Sequence, residues 1–215
     1  MRYRNIIVSI TFRNVRYRNI AEQAAAFLCS SIIFDWEKKM TLHGMFFLSS
    51  EFYDVVRKVG GTWSDTKERP IVCLIKSSEN EHLYWAIPVG NWNHRNDEAQ
   101  KRIMSYINED SRKIQSCFYH LGKTTVKSIF FMSDVVPITD KYIDRDYLGY
   151  NNQQYIILNP KLIAELERKL WRILKYENSK PNYFRQHITD VKNFLLSELD
   201  GQASDKGHKG KCVLV

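Results

Sequence analysis

Short apolar stretches followed by two long amphipathic stretches constrain the fold of this chain more than any other feature. Turn-forming residues bound the short stretches, as they bound β-strands. These stretches span residues 45–48, 70–75, 83–89, 116–120 and 126–132. Apolar residues recur at helical spacing from Pro160 to the turn at Lys180, over 183–199 and over 97–107. Strands that precede helices predict an α+β domain in which a C-terminal helical hairpin packs on a sheet.

Capping signals stand at the ends of two predicted helices. Ser49 or Ser50 can cap a helix that ends at Gly60-Gly61, because a serine hydroxyl accepts a free amide of the first turn and glycine tolerates the conformation that ends a helix. Asn159 can cap the first long helix. Pro160 fits the opening position of that helix, where a backbone N–H is not needed.

The positive charge of the chain is concentrated towards its ends. The net formal charge is +8, of which residues 1–44 carry +4, residues 201–215 carry +2 and the middle of the chain carries +2. A basic chain suggests a nucleic-acid partner, but a nearly neutral middle requires any RNA site there to be a local patch. We predict a folded domain over 45–200, a non-domain N-terminal extension over 1–44 and a flexible basic tail over 201–215.

The N-terminal extension contains one repeated motif. Arg2-Tyr3-Arg4-Asn5-Ile6 recurs as Arg16-Tyr17-Arg18-Asn19-Ile20, and two copies are too few for a solenoid. The repeat is either chance or a repeated DNA segment read as protein. In the second case, we expect Met40 or Met45 to be the true start of translation.

Hydropathy and cysteine usage predict a soluble, cytoplasmic protein without a membrane partner. No apolar run approaches the roughly 20 residues of a membrane span, and the nearest candidate, 21–34, is short and contains polar residues. The four cysteines are scattered without a CxxC motif, which predicts reduced thiols rather than a disulfide framework or a metal site. We therefore expect no metal and no cofactor.

Several motifs, in a fixed order, resemble a known family of proteins. They are Lys67-Glu-Arg-Pro70, an apolar strand, a turn, Trp85-Ala-Ile-Pro-Val89, the polar loop Gly90-Asn-Trp-Asn-His-Arg95, and later Ile129-Phe-Phe-Met132 followed by Pro137-Ile138. This order is similar to that of the endoribonuclease toxins of type III toxin–antitoxin and abortive-infection systems, the ToxN/AbiQ/CptN-like proteins. The similarity spans about 45–199. The polar loop departs from the family, whose loop usually reads like Thr-Ser-x-Lys or Arg-Ser-Asn.

The resemblance implies a fold, an activity and partners. The fold would be an SH3-like (Kid/MazF-type) β-barrel, or a strongly bent antiparallel sheet, with added helices. The activity would be metal-independent cleavage of single-stranded RNA by attack of the 2′-OH, leaving a 2′,3′-cyclic phosphate. The partners would be the substrate RNA and a small structured repeat RNA that acts as antitoxin, with RNA-mediated higher-order assembly. Phage defence would be the biological outcome.

The loop after the strand 83–89 holds the first group of candidate site residues. Cleavage of this kind needs a base, an acid and groups that stabilise the charge on phosphorus. His94 is the predicted acid or base, because the reference pKa of histidine is about 6.5. Asn91 would orient the reacting groups, Arg95 would hold phosphate and Trp92 would stack on a base. The alternative is that His94 is only a solvated loop residue.

Two basic residues flank the start of the strand 70–75. The resemblance implies that Lys67 and Arg69 contact the scissile phosphate and belong to the catalytic group. The alternative is that both are ordinary surface charges, which is the usual fate of lysine and arginine.

A second polar cluster surrounds the turn at Gly122. Its Gly-Lys-Thr sequence lacks the earlier glycine of a phosphate-binding loop, so we exclude nucleotide hydrolysis. As a turn rich in cations and hydroxyls, the cluster could instead bind the RNA backbone. The predicted RNA-binding residues are Tyr119, His120, Lys123, Thr124, Thr125, Lys127 and Ser128.

Two other functions stay open at this point. The domain could be a non-catalytic RNA-binding module, because a fold does not fix a function; turnover of RNA separates the two. A metal-dependent nuclease could use Asp134, Asp140, Asp144 and Asp146, although the basic residues between them favour a solvated loop.

Overall fold

The structure is a computed structural model that describes residues 40–63 and 68–208, with only the backbone for 202–208. The described residues form seven strands and four α-helices. The strands are β1 (Met45–Leu48), β2 (Ile71–Lys76), β3 (Tyr84–Asn91), β4 (Tyr119–Lys123), β5 (Lys127–Phe131), β6 (Val136–Ile138) and β7 (Ile143–Asp146). The helices are α1 (Ser50–Lys58), α2 (Asp97–Ile107), α3 (Pro160–Ser179) and α4 (Ile188–His208). The predicted α+β class is confirmed.

All described strands belong to one antiparallel sheet. Their order is β4-β5-β3-β2-β1-β7, with β6 paired to β3. The central strand β3 changes partners along its length: its first half lies between β2 and β6, and its last three residues pair with β5. The described strands do not close into a barrel, so of the two predicted forms the open, antiparallel sheet with a C-terminal helical hairpin is the one found.

Three apolar clusters hold the helices against the sheet. Helix α3 covers one part of it through an apolar stripe that includes Leu166 and Leu170, which pack in the same cluster as Phe130 of β5. Helices α1 and α4 contribute to a second cluster around β1, β2 and β6. Helix α2 contributes Ile103 to a third and smaller cluster that contains Phe131. The sheet therefore carries apolar side chains on both faces, as the near-continuous apolar strands require.

The helix ends agree with the sequence in part. The side-chain oxygen of Asn159 accepts from the N–H groups of Lys161 at 3.1 Å and Leu162 at 3.2 Å, as predicted. Gly60 has a positive φ of 81° just after α1, which also fits. Ser49 precedes α1, but its side chain makes no capping hydrogen bond.

Two segments differ from the prediction. Residues 143–146 were predicted as a mixed-charge loop, but they form β7, which pairs with β1 at the edge of the sheet. An edge strand needs few apolar side chains and tolerates charge, so its sequence carries no clear strand pattern. Helix α4 begins at Ile188 rather than 183, and it continues through residues 201–208, where the sequence predicts a flexible tail.

The predicted N-terminal extension lies mostly outside the described residues, which begin at 40. Met40 is buried. The N–H of His43 donates to the carbonyl of Cys73 at 2.6 Å, and the carbonyl of His43 accepts from the N–H of Ile157. The boundary at 44 stays a prediction. No described helix combines the length and the hydropathy that crossing a bilayer would require.

Gln186 connects the helical hairpin to the sheet. Its side-chain amide donates to the carbonyls of Ser133 at 2.9 Å and Val135 at 2.8 Å. The side chain is fully buried, and the bond to Val135 satisfies a carbonyl in the buried interior. Gly61 lies directly against the backbone of Gln186, where a Cβ would stand 2.5 Å from the carbonyl oxygen.

We expect Gly61→Ala to lower the free energy of unfolding by about 1–3 kcal/mol, because the added methyl group forces the backbone apart. Urea unfolding followed by circular dichroism measures this value. Gly201→Ala is the matched control: nothing lies within 4 Å of that position in α4, and alanine raises helix stability by about 0.5–1 kcal/mol. Equal effects of the two substitutions would contradict the close approach at Gly61.

Candidate functional site

The predicted polar loop is half strand and half helical turn. Gly90 and Asn91 belong to β3 and pair with Ile129 and Ser128 of β5. A single turn of 3-10 helix follows at Trp92–His94. The side-chain oxygen of Asn91 accepts from the N–H of Asn93 at 2.9 Å, and this bond fixes both the turn and the orientation of the Asn91 amide.

Asn91 and His94 form a polar pair at the end of β3. The side-chain nitrogen of Asn91 lies 3.4 Å from Nε2 of His94. Because the oxygen of this amide is engaged by Asn93, its nitrogen donates, and Nε2 of His94 accepts. This assigns the proton of a neutral His94 ring to Nδ1. His94 is exposed. Its Nε2 can therefore accept from a ligand if the long hydrogen bond from Asn91 breaks.

Two arginines meet on one phenyl ring beside this pair. The guanidinium carbons of Arg69 and Arg95 each lie 5.2 Å from the centroid of the Phe131 ring. Gly90 makes this arrangement possible, because a Cβ there would stand 3.2 Å from Nη2 of Arg95 and 3.1 Å from the Phe131 ring. Aromatic faces attract cations, so one ring serves as the partner of two guanidinium groups of like charge.

The arginine pair has the electrostatics of an anion-binding site. Burial lowers the pKa of Arg95, and the positive charge of Arg69 lowers it further. The buried Nε of Arg95 has no hydrogen-bond partner among the described residues. Within 40–63 and 68–208, no carboxylate forms an ion pair with Arg69 or Arg95. Phosphate oxygens suit such a pair, because guanidinium groups bind them with two parallel hydrogen bonds.

Trp92 does not have the exposed ring that stacking on a base requires. Only 6% of the residue is exposed, and its ring packs with Ile103, Ile129 and Phe131 beneath α2. The 3-10 turn buries the ring because it folds back onto the sheet. The ammonium of Lys127 lies 5.5 Å from the Trp92 ring centroid. Stacking of Trp92 on a base stays a prediction, and it would require this buried ring to become exposed.

The second predicted cluster is divided between the two faces of the sheet. Tyr119 pairs with Phe131, and His120 pairs with Phe130. Successive side chains of a strand point to opposite faces, and the two phenylalanines belong to different apolar clusters. Tyr119 therefore shares the face of the arginine pair, and His120 faces α3.

His120 has the environment of a neutral, structural histidine. Burial and then the positive charge of Lys169 lower the pKa of His120 to about 4. Lys169 is itself buried, and its ammonium donates to the carbonyls of Ser116 at 3.1 Å and Tyr119 at 2.6 Å. At neutral pH His120 is uncharged, so it does not supply the cation that the prediction of an RNA contact assumed.

The hydroxyl groups of the cluster hold the β4–β5 turn together. The hydroxyls of Thr124 and Ser128 lie 2.7 Å apart, and both side chains are buried. The Ser128 hydroxyl also donates to the carbonyl of Val126, and the Thr125 hydroxyl lies 3.2 Å from that of Tyr147. These contacts give Thr124 and Ser128 a structural role, and their contact with RNA stays a prediction.

The exposed cations of the cluster stand at its end. Lys123 and Lys127 are both exposed and directly paired across the β4–β5 hairpin. Lys127 also lies over Trp92, as described above. These two lysines extend the cationic surface from the end of β3 along the hairpin. Lys67, the remaining predicted catalytic residue, lies outside the described residues.

The four aspartates between 134 and 146 do not form a cluster. Asp134 pairs with Arg185 at 2.8 Å, Asp144 pairs with Arg145, and Asp146 accepts from the side chain of Gln154. In the part of the chain that the structure describes, no three His, Cys, Asp or Glu residues are grouped as metal ligands.

Comparisons with known proteins find distant similarity to solved structures. No protein-family model and no curated protein matches the sequence. Among solved structures, the chain is similar to AbiQ, which is described as a lactococcal anti-phage endoribonuclease belonging to the type-III toxin–antitoxin system. The two share 14% sequence identity with a TM-score of 0.49, over 72% of this chain and 97% of AbiQ. AbiQ is one of the toxins that the order of motifs in this sequence resembles.

The environment of His120 predicts a pH-dependent loss of stability. The pKa of His120 is about 4 in the folded protein, and a histidine in an unfolded chain has a pKa of about 6.5. Between these values the unfolded state binds a proton that the folded state does not, so stability falls as pH falls through this window. We expect the free energy of unfolding, measured from about pH 7 to about pH 4, to fall less steeply for His120→Gln than for the unchanged protein.

His82→Gln is the control for this prediction, because His82 is exposed in the turn between β2 and β3. Its pH profile should follow that of the unchanged protein. Parallel profiles for His120→Gln and the unchanged protein would show that His120 is not the group that titrates.

Proposed function

We propose that this protein is a metal-independent endoribonuclease toxin that cleaves single-stranded RNA and is inhibited by a small structured repeat RNA. The observation that carries the proposal is the convergence of Arg69 and Arg95 on Phe131 with no described carboxylate partner. The Asn91–His94 pair supports it, because it supplies a proton acceptor from the same end of β3.

The arginine pair would hold the phosphate at which cleavage occurs. A phosphate group between Arg69 and Arg95 would offset their mutual repulsion and could satisfy the buried Nε of Arg95. Charge on the non-bridging oxygens increases as the phosphorus becomes five-coordinate, and fixed cations stabilise this state more than the ground state. The same contacts bind any RNA backbone, so sequence preference must come from other residues.

His94 would start the reaction. Its Nε2 takes the proton of the ribose 2′-OH, and O2′ forms a bond to phosphorus while the bond from phosphorus to O5′ breaks. The products are a 2′,3′-cyclic phosphate and a 5′-OH end. DNA lacks the 2′-OH, so this route cleaves RNA alone.

The inhibitor would compete for the same cations. A folded RNA that places its backbone across Arg69, Arg95 and the exposed Lys123–Lys127 pair would exclude the substrate without any change in the protein. The motif order that resembles type III toxins supports a repeat RNA in this role, cytoplasmic action and a part in phage defence.

Arg69→Gln and Arg95→Gln should each weaken RNA binding, because each removes one phosphate contact. Affinity decreases with salt concentration, and the slope of log affinity against log salt concentration should become less steep by about 0.7 for each contact that is lost. Fluorescence anisotropy with 2′-O-methyl RNA measures binding without cleavage. Arg168→Gln, on the exposed side of α3 and paired with Glu165, is the control, and a slope that changes equally there would contradict the site.

His94→Ala should reduce RNA cleavage in excess EDTA by about 10²–10⁴-fold, the usual effect of losing a general base. Gel analysis of a long single-stranded RNA gives the rate, and His82→Ala is the exposed-histidine control. Unchanged cleavage by His94→Ala would contradict the assignment of His94 as the general base.

The same experiment separates the two alternative functions. RNA that is bound but not cut by the unchanged protein would identify a non-catalytic binding module. Activity that EDTA abolishes would identify a metal-dependent enzyme.

A further inference from the structure

A third polar side chain reaches the ring on which the two arginines meet. Tyr119 is the first residue of β4 and pairs directly with Phe131. Its ring stands edge-on to the Phe131 ring, with the centroids 6.0 Å apart and an interplanar angle of 78°. Tyr119 thus lies on the same face of the sheet as Arg69 and Arg95, in contact with the residue that both of them contact.

Tyr119 is held in place at both ends. Its backbone carbonyl accepts from the ammonium of Lys169 at 2.6 Å, which fixes the start of β4. Its ring is packed between Phe131 and Tyr106, whose ring centroid lies 5.6 Å away. Among the described residues, the hydroxyl of Tyr119 has no hydrogen-bond partner. A fixed ring with an unused hydroxyl beside a cation pair is arranged to bind a ligand.

The surroundings of Tyr119, above all its burial, keep its hydroxyl protonated. Burial raises the pKa of Tyr119, and the negative charge of Asp134 raises it further, while Arg102 and Arg185 lower it. Arg95 and Tyr119 contact the same Phe131 ring, and the charge of Tyr119 raises the pKa of Arg95. With its pKa raised, the hydroxyl stays protonated and can donate a hydrogen bond, and its ring contacts the same Phe131 ring as Arg95.

We propose that Tyr119 is the general acid of the cleavage reaction, which rests on the proposed function. The scissile phosphate lies on Arg69 and Arg95, and the Tyr119 hydroxyl donates its proton to O5′ as the bond from phosphorus to O5′ breaks. The proton of the 2′-OH passes to His94 as the bond from O2′ to phosphorus forms. His94 takes up one proton and Tyr119 releases one. Proton exchange with water then returns His94 to its neutral form and Tyr119 to its protonated form.

Two substrates test this role in the full-length protein. One is an RNA with an ordinary scissile phosphate, and the other has sulfur in place of O5′. A thiol has a pKa of about 8.5 and leaves without a proton donor. Tyr119→Phe should slow cleavage of the oxygen substrate by about 10²–10⁴-fold and leave cleavage of the sulfur substrate near the rate of the unchanged protein. The affinity of Tyr119→Phe for 2′-O-methyl RNA should fall much less than the cleavage rate, because only one neutral hydrogen bond to RNA is lost.

Tyr106→Phe is the matched control, because this tyrosine packs on Tyr119 and should cleave both substrates at the rates of the unchanged protein. Equal slowing of both substrates by Tyr119→Phe, or no slowing of either, would overturn the role of Tyr119. Failure of the unchanged protein to cleave either substrate in EDTA would overturn the proposed function itself, and the two failures are therefore distinguishable.

Discussion

The change of partners along β3 is the constraint on which the candidate site depends. The first half of this strand lies between β2 and β6, and its end lies beside β5. The N–H of Val89 donates to the carbonyl of Pro70 at 2.8 Å, which places Arg69 beside the end of β3. Arg95 follows the same end, and Phe131 ends β5. Residues far apart in sequence therefore meet where one strand passes from one neighbour to the next.

Helix α3 supports this arrangement from the opposite face. Leu162 packs so closely on β4 that a Cβ at Gly122 would stand 2.7 Å from its side chain. Lys169 reaches the carbonyls of Ser116 and Tyr119 from the same helix. Burying an ammonium is costly unless it is hydrogen-bonded, and here both bonds go to backbone groups that precede or begin β4. The helix thus sets the position of the strand that carries Tyr119.

Sequence periodicity predicted most of the fold because the strands and helices are strongly apolar on their buried sides. It missed β7, whose alternating charges are tolerated only because the strand lies at a sheet edge. The chemistry of the polar loop and the family resemblance placed His94, Asn91, Arg69 and Arg95 in one site. The structure brings these residues together as two pairs at the end of β3, and whether they act there stays a prediction.

Two features of the site could not be predicted from local composition. The burial of Trp92 depends on how a single 3-10 turn folds. Tyr119 and His120 lie on opposite faces because strand residues alternate, but the pairing of β4 with β5 decides which of them shares the face of the arginine pair. In the sequence, Phe131 is only one residue of an apolar strand. Its contacts with Arg69, Arg95 and Tyr119 come from separate segments of the chain, so the sequence around Phe131 does not show them.

The repulsion between Arg69 and Arg95 links RNA binding to the lifetime of the folded protein. With the site empty, the folded state keeps two like charges close together, and any ligand that binds only the folded state raises its stability. On the proposed function, the inhibitory RNA is then also a stabilising ligand. Loss of that RNA would release an active protein that unfolds more readily than its complex with RNA. The loss of the inhibitory RNA would therefore both start the toxicity and shorten the time for which the toxic protein stays folded.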